Sequence, residues 1–237
     1  MLCFPLIILL LSSFIFPHIF ASIEGQTLEI TMLLLVIVLL VFANFFLSAM
    51  STFMLLEHKD ENTLQTIGVT PIGTKGYLKF KMIYIYIMTV LSNSIVIYGT
   101  KLIAGDKYII GNIYLFDNIK FTHIFSFTFV SGIFAVSLSL FQAAIAKNKV
   151  ESFALIKGTG LLAIIPMLIV FDTFQDGLQY VLGIFPNFWF IKAIIQELFT
   201  YPSSANLSYT MYFIIGVVYN IILLMGAYSL FNKKVQY

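Results

Sequence analysis

The chain has 237 residues, 60% of them hydrophobic and 10% charged, with a mean hydropathy of +0.98. That composition excludes a soluble domain of this length and requires a membrane. The formal charge of +2 says little as a total, but all thirteen cations are lysine, so no guanidinium fork can clamp a phosphate or carboxylate, and the single cysteine, Cys3, excludes an intramolecular disulfide or a cysteine-based metal site.

The first apolar run, 2–21, is long enough to span. Phe20-Ala21-Ser22 offers small residues for signal cleavage, yet no lysine precedes Lys59. The basic leader of a signal peptide is therefore missing, and the run is expected to be span one. After a polar link, 30–56 suits a tilted second span. The polar interruption 57–82 follows. Within it, Asp60 has the chemistry of an N-cap for a short helix reaching Ile67, with Gly68 as its stop. Leu64 and Ile67 share one face of that helix. Thr70-Pro71 has the pattern of a second start, Thr70 capping and Pro71 at the first helical position. That helix would set Ile72, Tyr77, Leu78 and Phe80 among Lys75, Lys79 and Lys81, a mixture suited to a membrane surface.

Spans three to six are expected at 83–104, 121–146, 152–171 and 207–231. Span four is rich in small residues that permit close helix approach. The stretch 172–206 holds two short apolar runs around Pro186 and suits a re-entrant or interfacial hairpin. The chain is thus expected to be one all-α domain over 1–237. With both ends on one side, that face holds eight lysines (59, 75, 79, 81, 147, 149, 233, 234) and the other four (101, 107, 120, 192), with Lys157 inside span five. The positive-inside rule then puts both termini and the 57–82 segment in the cytoplasm.

Chemistry is sparse. Gly68 and Gly73 have P-loop spacing, but Thr74-Lys75 inverts the required Lys-Ser/Thr order, so no ATP site is expected in the chain itself. The three histidines are scattered, and no metal centre or catalytic residue is expected. Nothing suggests nucleic acid. Lys157 is the one ionisable group well within a span. It either marks a function or snorkels to the cytoplasmic interface. Asn93 and Asn44 suit interhelical hydrogen bonds at least as well as substrate contacts. Asn93, Lys157 and Trp189 are the candidates for a substrate path.

The pattern Glu57, then Thr63-Leu64, Val69-Thr70-Pro71, Tyr77-Leu78 and Lys81, following the second of six spans, resembles the intracellular coupling segment of type-2 ATP-binding cassette (ABC) exporter permeases. The string Phe185-Pro186-Asn187-Phe188-Trp189-Phe190 is similar to the half-membrane external helix pair that these permeases carry between spans five and six. The resemblance implies six transmembrane helices, a cytoplasmic coupling helix between spans two and three, and an external re-entrant helical hairpin between spans five and six. It implies an ATPase-coupling surface at Glu57, Asp60, Thr63, Leu64, Ile67, Thr70 and Pro71. It also implies two copies of a cytoplasmic ABC ATPase carrying the ATP and magnesium, and a second permease copy, identical or related, in a bacterial cell membrane. One departure is the missing amphipathic helix before span one. Short outer loops favour a lipid, hydrophobic drug or amphipathic peptide as cargo; export itself is expected from the resemblance alone. The alternative is an ATP-independent carrier or a membrane-complex scaffold, but no mid-span carboxylate or internal repeat supports a carrier.

Overall fold

A computed structural model describes residues 3–23, 25–60, 66–67, 69–110, 112–117, 119–199 and 205–235. Six of its helices are long and apolar enough to cross a membrane. In hydrocarbon every backbone polar group must find its partner within the chain, so apolar runs of this length become helices. The first span is α1 (Cys3–Leu10), a π-helical turn (Leu11–Ile15) and α2 (Phe16–Phe20). Next come α3 (Gln26–Asp60) and α4 (Gly73–Ala104). A small antiparallel hairpin, β1 (Ile109–Ile110) and β2 (Ile113–Tyr114), lies between α4 and α5 (Phe121–Ile145). Helix α6 (Lys149–Ile164) tightens into a 3₁₀ segment, Ile165–Val170. A second 3₁₀ segment (Gly177–Ile184) and α7 (Pro186–Leu198) meet at Phe185, and α8 (Tyr209–Val235) is the last span.

Helix α5 is the centre. Residues inside the molecule make up 72% of its apolar window, against 17% for α8, so α5 is wrapped by neighbours while α8 lies at the periphery. Its small residues let those neighbours close in. A Cβ on Gly132 would lie 2.8 Å from the Tyr86 ring of α4. The main core gathers Ile37, Leu40, Phe127, Val130, Phe190 and Ile194 from α3, α5 and α7.

The π turn in span one follows from Pro17. The amide of Phe16 bonds to the carbonyl of Leu11. Pro17 has no N–H, so the carbonyl of Ser12 is left without a helical donor. The Tyr108 hydroxyl fills that gap at 2.6 Å, and Ser12 Oγ lies 2.5 Å from Thr100 Oγ1. The Tyr108 ring is buried edge-on between Phe20 and Phe116. Burial raises its phenol above the usual range, which keeps the hydroxyl a donor. Lys101 ties the same loop down through the carbonyls of Phe116 and Ile119, each at 2.9 Å.

The polar segment after span two departs from expectation. Asp60 is the last described residue of α3, and most of the short helix expected after it lies outside the described residues. Thr70 is not an N-cap. Its hydroxyl donates back to Ile67 O at 2.6 Å, and Pro71 sits in a turn. Helix α4 starts instead at Gly73, which takes φ +61°, a left-handed value open to glycine. The amphipathic stretch is not a separate helix either. It is fused to span three in one 32-residue helix, because extending a helix costs less than nucleating another. At about 1.5 Å per residue, α3 and α4 are about 52 and 48 Å long, well beyond a hydrocarbon core of about 30 Å.

Candidate functional site

The expected ATPase-coupling residues lie around the ends of α3 and α4. Thr63 and Leu64 fall outside the described residues. Glu57, exposed on α3, accepts from Lys149 Nζ at 3.3 Å. That pair joins α3 to the turn between α5 and α6. The turn is itself built as a reciprocal cap: Asn148 Oδ1 accepts from Glu151 N, and Glu151 Oε2 accepts from Lys147 N, both at 2.8 Å. Val69, Thr70, Pro71 and Ile72 are exposed just before α4, with Ile67 half-buried. Beyond them, Lys75, Lys79 and Met82 face Met225 and Tyr228 of α8 across an open groove of about 480 Å³. The arrangement is an exposed surface of mixed apolar and basic character, with the ends of two long helices held beside one turn.

Two buried polar clamps bind the spans behind it. In the first, Asn93 Nδ2 donates to Asn44 Oδ1 at 2.6 Å and to Ser131 Oγ at 2.9 Å, linking α4, α3 and α5. In the second, Thr52 Oγ1 donates to Gln142 Oε1, and Gln142 Nε2 donates to Thr159 Oγ1, both at 2.6 Å, linking α3, α5 and α6. The second clamp begins five residues before Glu57. Sequence reasoning missed Gln142. Its signal was a lone amide in an Ala-rich helix end.

The candidate path residues do not meet. Asn93 is buried and spent on its clamp. Lys157 is exposed on α6, its ammonium 4.6 Å from the ring of Phe153, one turn toward Lys149, the direction of snorkelling. It borders a groove of about 380 Å³ with Phe42, Phe45 and Ile164. Trp189 packs in an aromatic group with Phe188, Tyr180 and Tyr212, and its indole donates to Gly183 O at 2.9 Å.

The segment between spans five and six is anchored deep. Asn187 Nδ2 donates to Ala163 O at 2.8 Å, Tyr219 Oη to Ile184 O at 2.7 Å, and Asn220 Nδ2 to Pro186 O at 3.2 Å. Tyr219 and Asn220 lie near the middle of α8, so the bend at Phe185 is seated against mid-helix. Lys192, expected on the outer face, is 3% exposed on α7. Burial lowers its ammonium from 10.5 to about 8. Its burial has a simple cause: α7 packs against α5 and α8. His123 Nδ1 lies 3.6 Å from Glu197 Oε2. Among the described residues no three His, Cys, Asp or Glu come together as a metal site would need.

Six long apolar helices, five of them around a buried central span, define a multi-pass membrane protein. Residues 1–228 match the family described as "Fluoroquinolones export permease protein Rv2686c-like". The chain belongs to this Rv2686c-like family of ABC transporter permeases, a class that works with an ATPase subunit. Comparison with curated proteins and with solved structures gave no match.

Proposed function

We propose that the chain is the transmembrane subunit of an ABC exporter that moves fluoroquinolone-like amphipathic molecules out of the cell on ATP hydrolysed by a separate subunit. The family match over 1–228 carries this reading. In it, residues 1–237 form one permease domain in a bacterial cell membrane with both termini cytoplasmic. Two permease chains, identical or related, engage two ATPase copies, which hold the ATP and magnesium. The coupling surface is Glu57, Asp60, Thr63, Leu64, Ile67, Thr70 and Pro71. The Glu57–Lys149 pair and the Thr52–Gln142–Thr159 clamp support it, since they give motion at that end two routes into the bundle. The bend at Phe185, seated against mid-α8, supports a re-entrant hairpin entering from the outer face.

The test is co-purification. A tagged chain extracted in mild detergent should bring down a P-loop ATPase in near-stoichiometric amount, and a fluoroquinolone should stimulate its ATP hydrolysis. Leu64→Asp should reduce the co-purified ATPase at least about tenfold, the loss expected for burying one unpaired charge in an interface. An unchanged yield removes Leu64 from the coupling surface. A preparation free of any ATPase, even after cross-linking in membranes, would move the reading to an ATP-independent carrier or scaffold.

A further inference from the structure

Helices α5, α6 and α8 enclose a cavity of about 280 Å³, closed on one side by the bend Ile184–Asn187. Four rings line it: Phe134, Phe141, Phe185 and Tyr219. Among the described residues, no Asp, Glu, Lys or His does. It opens between α6 and α8, past the exposed Leu162, Ile184 and Leu223, toward the apolar exterior of the bundle.

The hydroxyl protons in the cavity are already committed. Ser137 Oγ donates to Ile133 O and Tyr219 Oη to Ile184 O. Thr159 Oγ1 donates within α6 and accepts from Gln142. Asn187 is 3% exposed, and its Nδ2 donates to Ala163 O. Because a carbonyl can only accept, that bond fixes the amide's orientation and leaves Oδ1 and the second Nδ2 proton as its free ends. Among the described residues no donor reaches Asn187 Oδ1. The cavity therefore offers aromatic faces and a single amide end and, among the described residues, no positive charge. A carboxylate placed there would be desolvated with no cation to pair it and at most one amide N–H to bond it. A flat aromatic molecule carrying N–H or O–H donors would stack and be bonded.

We propose that this cavity binds the aromatic body of the exported molecule, entering sideways from the membrane with its acidic group protonated or masked, and with a donor turned to Asn187 Oδ1. The proposal rests on the export reading for the identity of the cargo, but its test does not. Trp189 is the only tryptophan, and its indole is bonded to Gly183 beside the cavity residue Ile184. Its emission therefore reports on this region alone.

The purified full chain in detergent, without an ATPase, is titrated with norfloxacin and with norfloxacin ethyl ester, against free N-acetyltryptophanamide as control. Norfloxacin should quench Trp189 more tightly at pH 6 than at pH 8, and the ester should bind at least as tightly as the parent at pH 8. Ala163→Phe, which fills the cavity, and Phe141→Ala, which removes a half-exposed ring at its edge, should each weaken binding about tenfold, or about 1.4 kcal/mol. The milder Phe141→Ala tests the site if Ala163→Phe fails to fold. Wild-type affinity in a folded variant, tighter binding of the acid than of the ester at pH 8, no quenching, or a co-purified phospholipid that the drug does not displace would overturn the site. Reconstituted with its ATPase, a system that binds but does not export norfloxacin leaves the site standing and removes the export reading. Export undiminished in both variants does the reverse.

Discussion

Lys192 is a buried cation with only desolvation acting on its charge. At pH 7 folded and unfolded chains both hold the proton, so the whole burial penalty stands. From about pH 8 the folded chain sheds the proton while the unfolded chain keeps it until about 10.5, so stability rises with pH across that window. Lys192→Met should therefore raise the unfolding free energy in detergent at pH 7 by on the order of 1–3 kcal/mol, seen as a higher melting temperature, and the advantage should fade toward pH 10.5. Equal gains at both pH values would mean that packing, and not charge, sets the difference. The buried state of Lys192 was hard to see in advance. In Pro186–Leu198 the lysine stands between Ile191 and Ala193, and hydropathy alone does not tell a snorkelling lysine from one packed under neighbouring helices.

Among the helices, the hydropathy runs mark the ends of all six spans to within about four residues, apart from the start of α4, which lies ten residues before the expected 83. That error has a physical cause. Charges such as Lys75 and Lys79 mark where the hydrocarbon ends, and a helix does not stop there if its next residues still favour helix. The two clamps were half legible. Asn44 and Asn93 stand out in apolar sequence and do bond each other, whereas Thr52, Gln142 and Thr159 lie some ninety and seventeen residues apart and are joined only by packing. Gln142 holds α3 to α6, so Gln142→Leu should leave norfloxacin binding within about twofold while cutting drug-stimulated ATP hydrolysis several-fold. Equal loss of both would make the clamp a scaffold for the cavity and not a link to the ATPase. The clamps should contribute modestly to stability, on the order of 0.6–1.7 kcal/mol per interhelical bond.

For the whole molecule, the lysine asymmetry gives an orientation that can be measured. An epitope after Tyr237 should be reached by antibody only in permeabilised cells. A cysteine at Asp117, in a chain with Cys3 replaced, should react with an impermeant maleimide in intact cells. The opposite pattern would put the α3–α4 turn outside and leave the coupling surface without access to an ATPase. Architecture at this scale was readable because the membrane forces each apolar run into a helix; the cavity was not, because it is made by residues from α5, α6, α8 and the bend that no local pattern brings together.

The Tyr108–Ser12 bond carries one more consequence, for biosynthesis. The first span emerges from the ribosome with a gap in its backbone ladder at Ser12, and the side chain that fills it is encoded ninety-six residues later. Thr100, the other contact of Ser12, comes almost as late. Until that loop is translated, span one lies in the bilayer as an unfinished helix, free to slide or tilt. Its final seat is fixed only when span three and the loop after it arrive, so the beginning of this protein is completed by its middle.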